Sequence, residues 1–217
     1  MTLAVIRVFS TADQNVLAAH GQLITSRYGL STVTYCIPGQ PLGIYDDATE
    51  RQAVPKIVAA AQQAEADGAK AVLISCAVDP AVAECRQVLS IPVIGAGSSA
   101  AALAIALGSR VGVLNLTGSI HPRIARLLGD RFTCEQSPQG VANTTDLLAP
   151  KGLQAAKEAA AALARQADVI VFTCTGFTTI GLAALLRQEL TIPIVDAVEA
   201  GGWVAWQVLA GQTNGIA

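Results

Sequence analysis

The sequence predicts an α/β protein made of two pseudo-symmetric, open parallel-sheet α/β domains that face each other across a cleft. Apolar residues make up 52% of the 217 residues, whereas aromatic residues make up 4% and charged residues 14%. A core of Ala, Val, Ile and Leu is typical of parallel sheets that helices cover on both faces. Apolar, β-branched runs alternate with helical patterns, and the second half of the chain repeats the first. This alternation indicates parallel strands joined by right-handed crossovers.

The first half alternates four strands with three helices. Gly29 and Gly68 end two of the helices, because glycine readily takes the left-handed conformation of a C-cap, and Pro80 suits the first turn of the third. The strands are predicted at 3–9, 31–37, 69–76 and 91–96, and the helices at 15–29, 49–68 and 79–89.

The second half repeats this scheme and begins with an Ala-rich helix. Its apolar runs again alternate with helical patterns, and one further helix closes the chain. The strands are predicted at 110–117, 131–138, 168–174 and 192–197, and the helices at 98–108, 120–129, 152–167, 178–190 and 201–211.

The repeat places a cysteine at the same point of the same unit twice. Cys76 and Cys174 follow equivalent strands 98 residues apart, and the Ile-Pro strands behind them begin at Pro92 and Pro193, 101 residues apart. We therefore expect two domains, each with its own four-stranded sheet. Ligands of open α/β sheets bind at the carboxyl ends of the strands, so both cysteines would lie in one cleft. The alternative is a single doubly wound sheet whose halves resemble each other by coincidence.

Composition also limits the partners. The net charge of −2 provides no basic surface for nucleic acid. The uncharged stretch between Arg86 and Arg110 is divided by Pro92 and the glycines after it, so neither piece is long enough to cross a membrane. No signal or transit peptide pattern opens the chain, and five irregularly spaced cysteines indicate free thiols, so a cytoplasmic protein is expected. Trp203 and Trp206 suit the core or a subunit interface, and we expect a homo-oligomer.

A thiol at the end of a strand, directly before a helix, is placed for chemistry, because main-chain N–H groups there favour the thiolate. Zinc binding is disfavoured because the cysteines do not cluster, and a redox pair because there is no C-x-x-C motif. A Cys–His nucleophile would need His121 in the cleft, whereas His20 suits packing or the surface. The other cysteines, Cys36, Cys85 and Cys134, are expected to be inert and apolar.

A matched pair of thiols has a specific use. Inverting a stereocentre with an acidic C–H requires one base on each face: one thiolate removes the proton and the opposite thiol supplies another. Main-chain amides can stabilise the resulting carbanion. No cofactor and no metal are therefore expected. The motif "GAGSSA" at 95–100 resembles a dinucleotide loop, but no acidic residue follows before Asp130, so it favours a helix capped by Ser98 or Ser99.

The motifs "SCAVDPAV" and "CTGFTTIG", together with "IPVIGAGSSAAALA", "VGVLNLT" and "IPIVDAVEAGG", resemble the aspartate/glutamate/hydantoin racemase superfamily over essentially the whole chain. The resemblance implies cofactor-independent two-cysteine racemases, with the final helix returning to the first domain. It divides the chain into 1–96 plus 197–217 and 97–196. It implies that Cys76 and Cys174 are the acid/base pair. Substrate-binding groups would come from Ser10, Thr11, Ala77, Val78, Thr117, Thr175 and Gly176.

The departures from the family pattern narrow the substrate. Glutamate racemases carry Asp-Ser-Gly, Cys-Asn-Thr and Cys-Thr-His where this chain has "FSTAD", "SCAVDP" and "CTGF". The sequence is more similar to the hydantoin and allantoin racemase branch, so a 5-substituted hydantoin is favoured over aspartate or glutamate. Two alternatives stay open. One is an isomerase or decarboxylase of the superfamily that uses a single thiol, and the other is a binding protein that closes on a small anion.

Overall fold

The computed structural model describes residues 1–116 and 118–213. It contains two four-stranded parallel sheets with the same strand order, β2-β1-β3-β4 and β6-β5-β7-β8. The prediction of two α/β domains with one sheet each is confirmed. The strands are β1 (Thr2–Arg7), β2 (Ser31–Cys36), β3 (Ala71–Ser75), β4 (Val93–Gly95), β5 (Val111–Leu114), β6 (Phe132–Gln136), β7 (Val169–Phe172) and β8 (Ile194–Val195).

At least one helix follows each strand along the chain, as the connections between parallel strands require. Most agree with the sequence patterns to within a few residues. They are α1 (Gln14–Tyr28), α2 (Asp47–Ala66), α3 (Val82–Val88), α4 (Ala96–Leu107), α5 (Pro122–Leu128), a 3-10 turn (Gly129–Arg131), α6 (Thr144–Leu148), α7 (Pro150–Ala164), α8 (Gly176–Thr179), α9 (Leu182–Glu189) and α10 (Ala197–Thr213).

Side chains from the two faces of each sheet enter different cores, because successive residues of a strand point to opposite faces. Leu3 and Val5 of β1 and Val111 and Val113 of β5 join one central core, which α4 and α10 fill with alanines. Each outer face packs against its own helices, α2 and α3 on the first sheet and α7 and α9 on the second. The small side chains of α4 let the two sheets approach from both sides.

Two local predictions were wrong in detail, and one short helix was not predicted. The helix predicted at 178–190 is broken into α8 and α9, because Gly181 takes a left-handed conformation with φ of 68°. The helix predicted from Asp79 begins only at Val82, since Asp79 and Ala81 both have positive φ. The short α6, at Thr144–Leu148, had no predicted counterpart; an Asn143 cap starts it rather than an apolar pattern.

The last helix leaves the second sheet and packs against α1, β3 and α4. The division of the chain into 1–96 plus 197–217 and 97–196 stays a prediction. Trp203 and Trp206 are 47% and 39% exposed, so they are not core residues. Within the described ranges, no helix is both long and apolar enough to cross a membrane.

Candidate active site

Cys76 and Cys174 occupy equivalent main-chain positions. Each follows the carboxyl end of a central strand, β3 or β7, and each sulfur accepts a hydrogen bond from the N–H two residues further on. For Cys76 that N–H belongs to Val78, and for Cys174 it belongs to Gly176, at 3.3 Å from the sulfur. Cys76 does not lie directly before a helix as predicted, since α3 begins six residues later. The N–H groups of the turn, rather than a long helix, therefore approach its sulfur.

Both cysteines line one cleft of about 410 Å³ between the two sheets. A cleft of this size accommodates a small ring with one substituent. The floor is formed by the strand ends, and the walls are mainly apolar. The lining residues nearest the strand ends are Arg7, Val8, Phe9, Ser75, Cys76, Asn115, Leu116, Thr173, Cys174 and Thr175.

The structure brings some of the predicted substrate-binding residues to this cleft and leaves others outside. Val78, Thr175 and Gly176 line it, but Ala77 is buried beside it without reaching the surface of the cleft. Ser10 is outside the lining: its hydroxyl donates to the Ile37 carbonyl at 2.6 Å and accepts from the Gln40 N–H at 2.8 Å.

The remaining two predicted hydroxyls differ in status. The hydroxyl of Thr11 accepts from the N–H of Asp13 at 3.1 Å, and Thr11 does not line the cleft either. Asp13 is the N-cap of α1. Thr117 lies outside the described residues. The roles predicted for all of these residues stay predictions.

Burial dominates the acidity of both thiols. It raises the pKa of Cys174 to about 11, against the N–H groups of Gly176 and Phe177 and the charge of Arg7, which lower it. Burial raises the pKa of Cys76 further, and the neighbouring thiol of Cys174 and the carboxylates of Asp79 and Glu50 add to the rise. The two thiols therefore have equivalent positions but unequal electrostatic surroundings.

His20 joins the two cysteine turns. It is fully buried in α1, where Nδ1 lies 2.8 Å from the Ser75 hydroxyl and Nε2 lies 3.1 Å from the Thr175 carbonyl. Because a carbonyl can only accept, Nε2 carries the proton and Nδ1 accepts from Ser75. Burial, followed by the charge of Arg7, lowers the pKa of His20 well below its usual value, so the ring is neutral. The Thr175 hydroxyl adds a direct bond to the Ser75 carbonyl at 3.2 Å.

These bonds fix the separation of the two thiols, since Ser75 precedes Cys76 and Thr175 follows Cys174. His20 is thus a bridge between the domains rather than an ordinary packing residue. Its sequence position in the middle of a helix carried no sign of this, because its partners Ser75 and Thr175 lie 55 and 155 residues away.

The mouth of the cleft is closed on one side by the loop that follows β2. Gly43, Ile44 and Tyr45 of this loop line the cleft, so it is more than a surface loop. The loop is attached to the second domain, where the Thr145 hydroxyl donates to the Pro41 carbonyl at 3.1 Å. The loop therefore belongs to the cleft wall.

Glu50 of α2 makes a second connection across the mouth. Its carboxylate lies 3.1 Å from His121 Nε2 and 3.3 Å from the Arg123 guanidinium, both on the second domain. His121 also accepts from the Arg123 N–H as the N-cap of α5. His121 lines the cleft, as its sequence position allowed, but at the mouth and paired with Glu50 rather than beside a thiol.

The family model described as Asp/Glu/Hydantoin racemase matches residues 15–205, which include both cysteine turns and the strands around them. The chain belongs to this family. The family is one of racemases, and the chain is accordingly an enzyme of the isomerase class.

Two sequence relatives and one solved structure are similar to this racemase-family chain. It is 27% identical to a hydantoin racemase from Pseudomonas sp. (strain NS671) over 74% of this chain and 67% of that protein. It is 26% identical to a hydantoin racemase from Rhizobium meliloti over 92% of this chain and 85% of that protein. The fold resembles that of an allantoin racemase from Klebsiella pneumoniae, with a TM-score of 0.83, 21% identity and coverage of 98% and 89% of the two chains.

In this racemase-family chain, the "GAGSSA" segment supports the Cys76 turn. The carboxylate of Asp79 accepts from the N–H groups of Gly97 and Ser98 at 2.7 Å each and so caps α4. The hydroxyls of Ser98 and Ser99 instead donate to the Gly95 carbonyl, so the prediction that either serine caps the helix was wrong. A side chain at Gly97 would collide with the Ala77 carbonyl next to the cysteine, so glycine allows this close approach.

In the second half, Asp196 stands at the end of β8, at the position that corresponds to Gly95 of the first half. Its carboxylate accepts from the N–H groups of Val198 and Glu199 at 2.8 and 3.1 Å, and from the Thr178 hydroxyl. It therefore caps α10 and holds the turn that carries Cys174. Burial, with the charge of Glu199, raises the pKa of Asp196 to about 6.

Sequence reasoning did not single out Arg7, Asn115 or Thr173, which the strand ends bring into the cleft. The Thr173 hydroxyl donates to Asn115 Oδ1 at 2.6 Å, and both residues are buried. A signal for Arg7 did exist, because it is the one charged residue of the apolar run at 3–9. Across the described ranges, no group of three or more His, Cys, Asp and Glu side chains is arranged to hold a metal ion.

Proposed function

We propose that this protein is a cofactor-independent racemase in which Cys76 and Cys174 exchange protons with opposite faces of an acidic C–H stereocentre. The observation that carries the proposal is the placement of both thiols at matching strand ends in one cleft, each with an N–H at its sulfur. The bridge through His20 favours a fixed separation, as a reaction at a single carbon between two bases requires.

We propose a 5-substituted hydantoin or a related cyclic ureide as the substrate. The hydantoin racemases among its relatives support this assignment. The acids of the lining support it too, because Asp46 and Asp47 would repel the two carboxylates of aspartate or glutamate. Glu50 is already paired with His121 and Arg123. Among the described residues of the lining, the single buried cation, Arg7, is one positive charge against two substrate carboxylates. A neutral ring escapes this repulsion, and the apolar wall at Ile44 and Leu116 suits its substituent.

The reaction would run in two balanced proton transfers. The thiolate of one cysteine takes the C5 proton, and the electron pair left on carbon is delocalised into the C4 carbonyl as an enolate. The thiol of the other cysteine then gives its proton to the opposite face of C5 and becomes the thiolate. The N–H groups of the two turns can donate to the developing oxyanion, an interaction that strengthens as charge accumulates. The reverse reaction uses the same groups in exchanged roles.

The single variants Cys76→Ser and Cys174→Ser test this proposal. We expect each to lower racemisation by about 10²- to 10⁴-fold, since a hydroxyl is a far weaker base than a thiolate. Each should still exchange the C5 proton with deuterated solvent, mainly from one enantiomer. Polarimetry on 5-substituted hydantoins, allantoin, aspartate and glutamate measures the first effect, and proton NMR in deuterated water measures the second.

The matched control is Cys134→Ser, which removes a partly exposed thiol outside the cleft and should leave the rate unchanged. Full racemisation by either cleft variant would contradict the two-base reaction. Release of carbon dioxide that depends on one cysteine alone would identify a decarboxylase, and covalent trapping of substrate on one cysteine a single-thiol isomerase. Affinity without turnover in wild type and variants would identify a binding protein.

A further inference from the structure

Arg7 is a buried cation at the carboxyl end of β1, in the floor of the cleft. It is 3% exposed, and its guanidinium donates to the carbonyls of Val16 and Leu17 in α1 and to the Thr179 hydroxyl at 3.2 Å. These contacts hold the group in place, but all of its partners are neutral. Within residues 1–116 and 118–213, no carboxylate lies within ion-pair distance of it.

A buried charge without a counter-ion lowers the stability of the fold, so its presence indicates a function for that charge. Burial lowers the pKa of Arg7 to about 10, and only the thiols of Cys36 and Cys174 oppose this effect. Cys36 is the register partner of Arg7 on β2, and Cys174 lies across the cleft floor on the second domain. The groups that can compensate the charge of Arg7 are therefore cysteines that ionise.

The charges that shift the pKa values of the two cleft thiols have opposite signs, although the Cys76 turn also has a cation beside it. Arg123 donates to the Val78 carbonyl there and pairs with Glu50. Arg7 lines the same cleft as Cys174 and donates to the hydroxyl of Thr179, five residues after that cysteine, and its charge lowers the pKa of the Cys174 thiol. Cys76 instead faces Asp79 and Glu50, whose carboxylates raise the pKa of its thiol, and it also faces the thiol of Cys174. His20 lies between Arg7 and the two turns but is neutral, so it adds no charge to either side.

We propose that the buried guanidinium of Arg7 makes Cys174 the thiol that ionises first, so that the thiolate that starts the reaction forms on Cys174 while Cys76 keeps its proton. Arg7 acts through Cys174 and is a positioning residue. This inference rests on the proposed two-thiol reaction. If that reaction holds, the two enantiomers of the substrate react differently. The enantiomer whose C–H faces Cys174 reacts directly, whereas the other needs the proton to move from Cys76 to Cys174 first.

The test measures ionisation without requiring turnover. Wild-type protein, shown by circular dichroism to stay folded at each pH, is treated with iodoacetamide over about pH 7 to 12. The alkylation rate of each cysteine is followed by peptide mass spectrometry. The pH at half-maximal rate reports the ionisation of each thiol independently of its accessibility. We expect Cys174 to reach half-maximal rate at a lower pH than Cys76. The reverse order in wild type would overturn the proposal.

Arg7→Gln removes the charge and keeps an N–H₂ group for the α1 carbonyls. We expect it to raise the half-maximal pH of Cys174 by about one unit or more, to raise that of Cys36 as well, and to move that of Cys76 by much less. Arg7→Lys keeps the charge and should retain most of the wild-type order. An unchanged Cys174 profile in folded Arg7→Gln, checked by circular dichroism, would overturn the proposal.

Arg110→Gln is the matched control, since it removes an equal charge from an exposed ion pair with Asp168. Arg110 lowers the pKa of Cys134, so this variant should shift the profile of Cys134 and leave Cys174 unchanged. A shift of Cys174 in this control would mean that general charge, not Arg7, sets its ionisation. None of these measurements depends on racemisation, so failure of the proposed function would be seen separately, by polarimetry.

Discussion

The two cysteine turns share one main-chain geometry but are held by different side chains. In the first half, the carboxylate of Asp79 lies on the cysteine turn and reaches the N–H groups of Gly97 and Ser98 at the start of α4. In the second half, the carboxylate is Asp196, at the end of β8, and the turn contributes only the Thr178 hydroxyl. Each half therefore caps the next helix with one buried carboxylate, taken from a different element.

The two halves take the capping carboxylate from different elements because of the space at the end of the fourth strand of each sheet. Gly95 and Asp196 are equivalent positions 101 residues apart. A side chain at Gly95 would overlap the carboxylate of Asp79, so the strand end must be glycine when the turn supplies the acid. In both halves, one carboxylate accepts hydrogen bonds from two N–H groups at the start of a helix. The two halves therefore share this hydrogen-bonding pattern, although the residues that form it are not at equivalent positions.

The charge around the thiols is not duplicated at all. Asp79, the cap of the first half, lies on the turn of Cys76 and adds negative charge there, whereas Arg7 adds positive charge near Cys174. Duplicated strands can thus give two thiols with matched positions and unmatched acidity. Three tests of the caps break or sharpen this comparison.

The largest effect is expected for Gly95→Asp, which puts the second-half acid into the first half while Asp79 remains. Steric overlap and an uncompensated buried carboxylate should lower the free energy of unfolding by about 3–5 kcal/mol. Adding Asp79→Gly, which suits the positive φ of 54° at this position, leaves the acid on the strand alone, as in the second half. Urea unfolding of the two singles and the double should show strong non-additivity, with the double more stable than Gly95→Asp alone. Gly95→Ala measures the steric part of the loss alone. If the losses in the free energy of unfolding of the two singles simply add in the double, the two carboxylates do not compete for the same place.

An intermediate effect is expected from removing one hydrogen-bonding group in each half. Asp79→Asn keeps a residue that tolerates the positive φ of 54° but leaves one N–H of α4 without its acceptor, which should cost about 2–3 kcal/mol. Thr178→Val leaves Asp196 its two N–H donors and should cost about 1 kcal/mol. Both variants are measured by urea unfolding. Equal losses of unfolding free energy would contradict the assignment of Asp79 as the capping carboxylate and of Thr178 as a secondary donor.

A comparable effect, confined to the second half, is a pH dependence of stability. The pKa of Asp196 is about 6 in the folded protein against an ordinary 3.8, so the folded state holds its proton more tightly. The stability that this carboxyl contributes is full below about pH 4 and is lost as pH rises through about 6. Relative to Asp196→Asn, wild type should therefore lose up to about 3 kcal/mol across that window. Unfolding curves at several pH values measure the difference, and a difference that is flat with pH would contradict the raised pKa.

Much of the fold could be predicted because it depends on local patterns. The β-branched runs before Cys76 and Cys174 are buried strands whatever surrounds them, and Gly29 ends its helix by its own conformational freedom. The break at Gly181 was missed because "TTIGLAALLRQEL" reads as one continuous helix. Glycine inside such a pattern is ambiguous until the φ of its backbone is known.

The sequence by itself determined the two-sheet architecture and the placement of two thiols at equivalent strand ends, because strand and helix periodicity and the repeat are carried by neighbouring residues. Only the tertiary structure decided which groups act on those thiols. Arg7, His20 and Asp79 meet their partners across 9 to 172 residues of chain. Electrostatic and hydrogen-bond effects depend on distance in space, which sequence spacing does not encode.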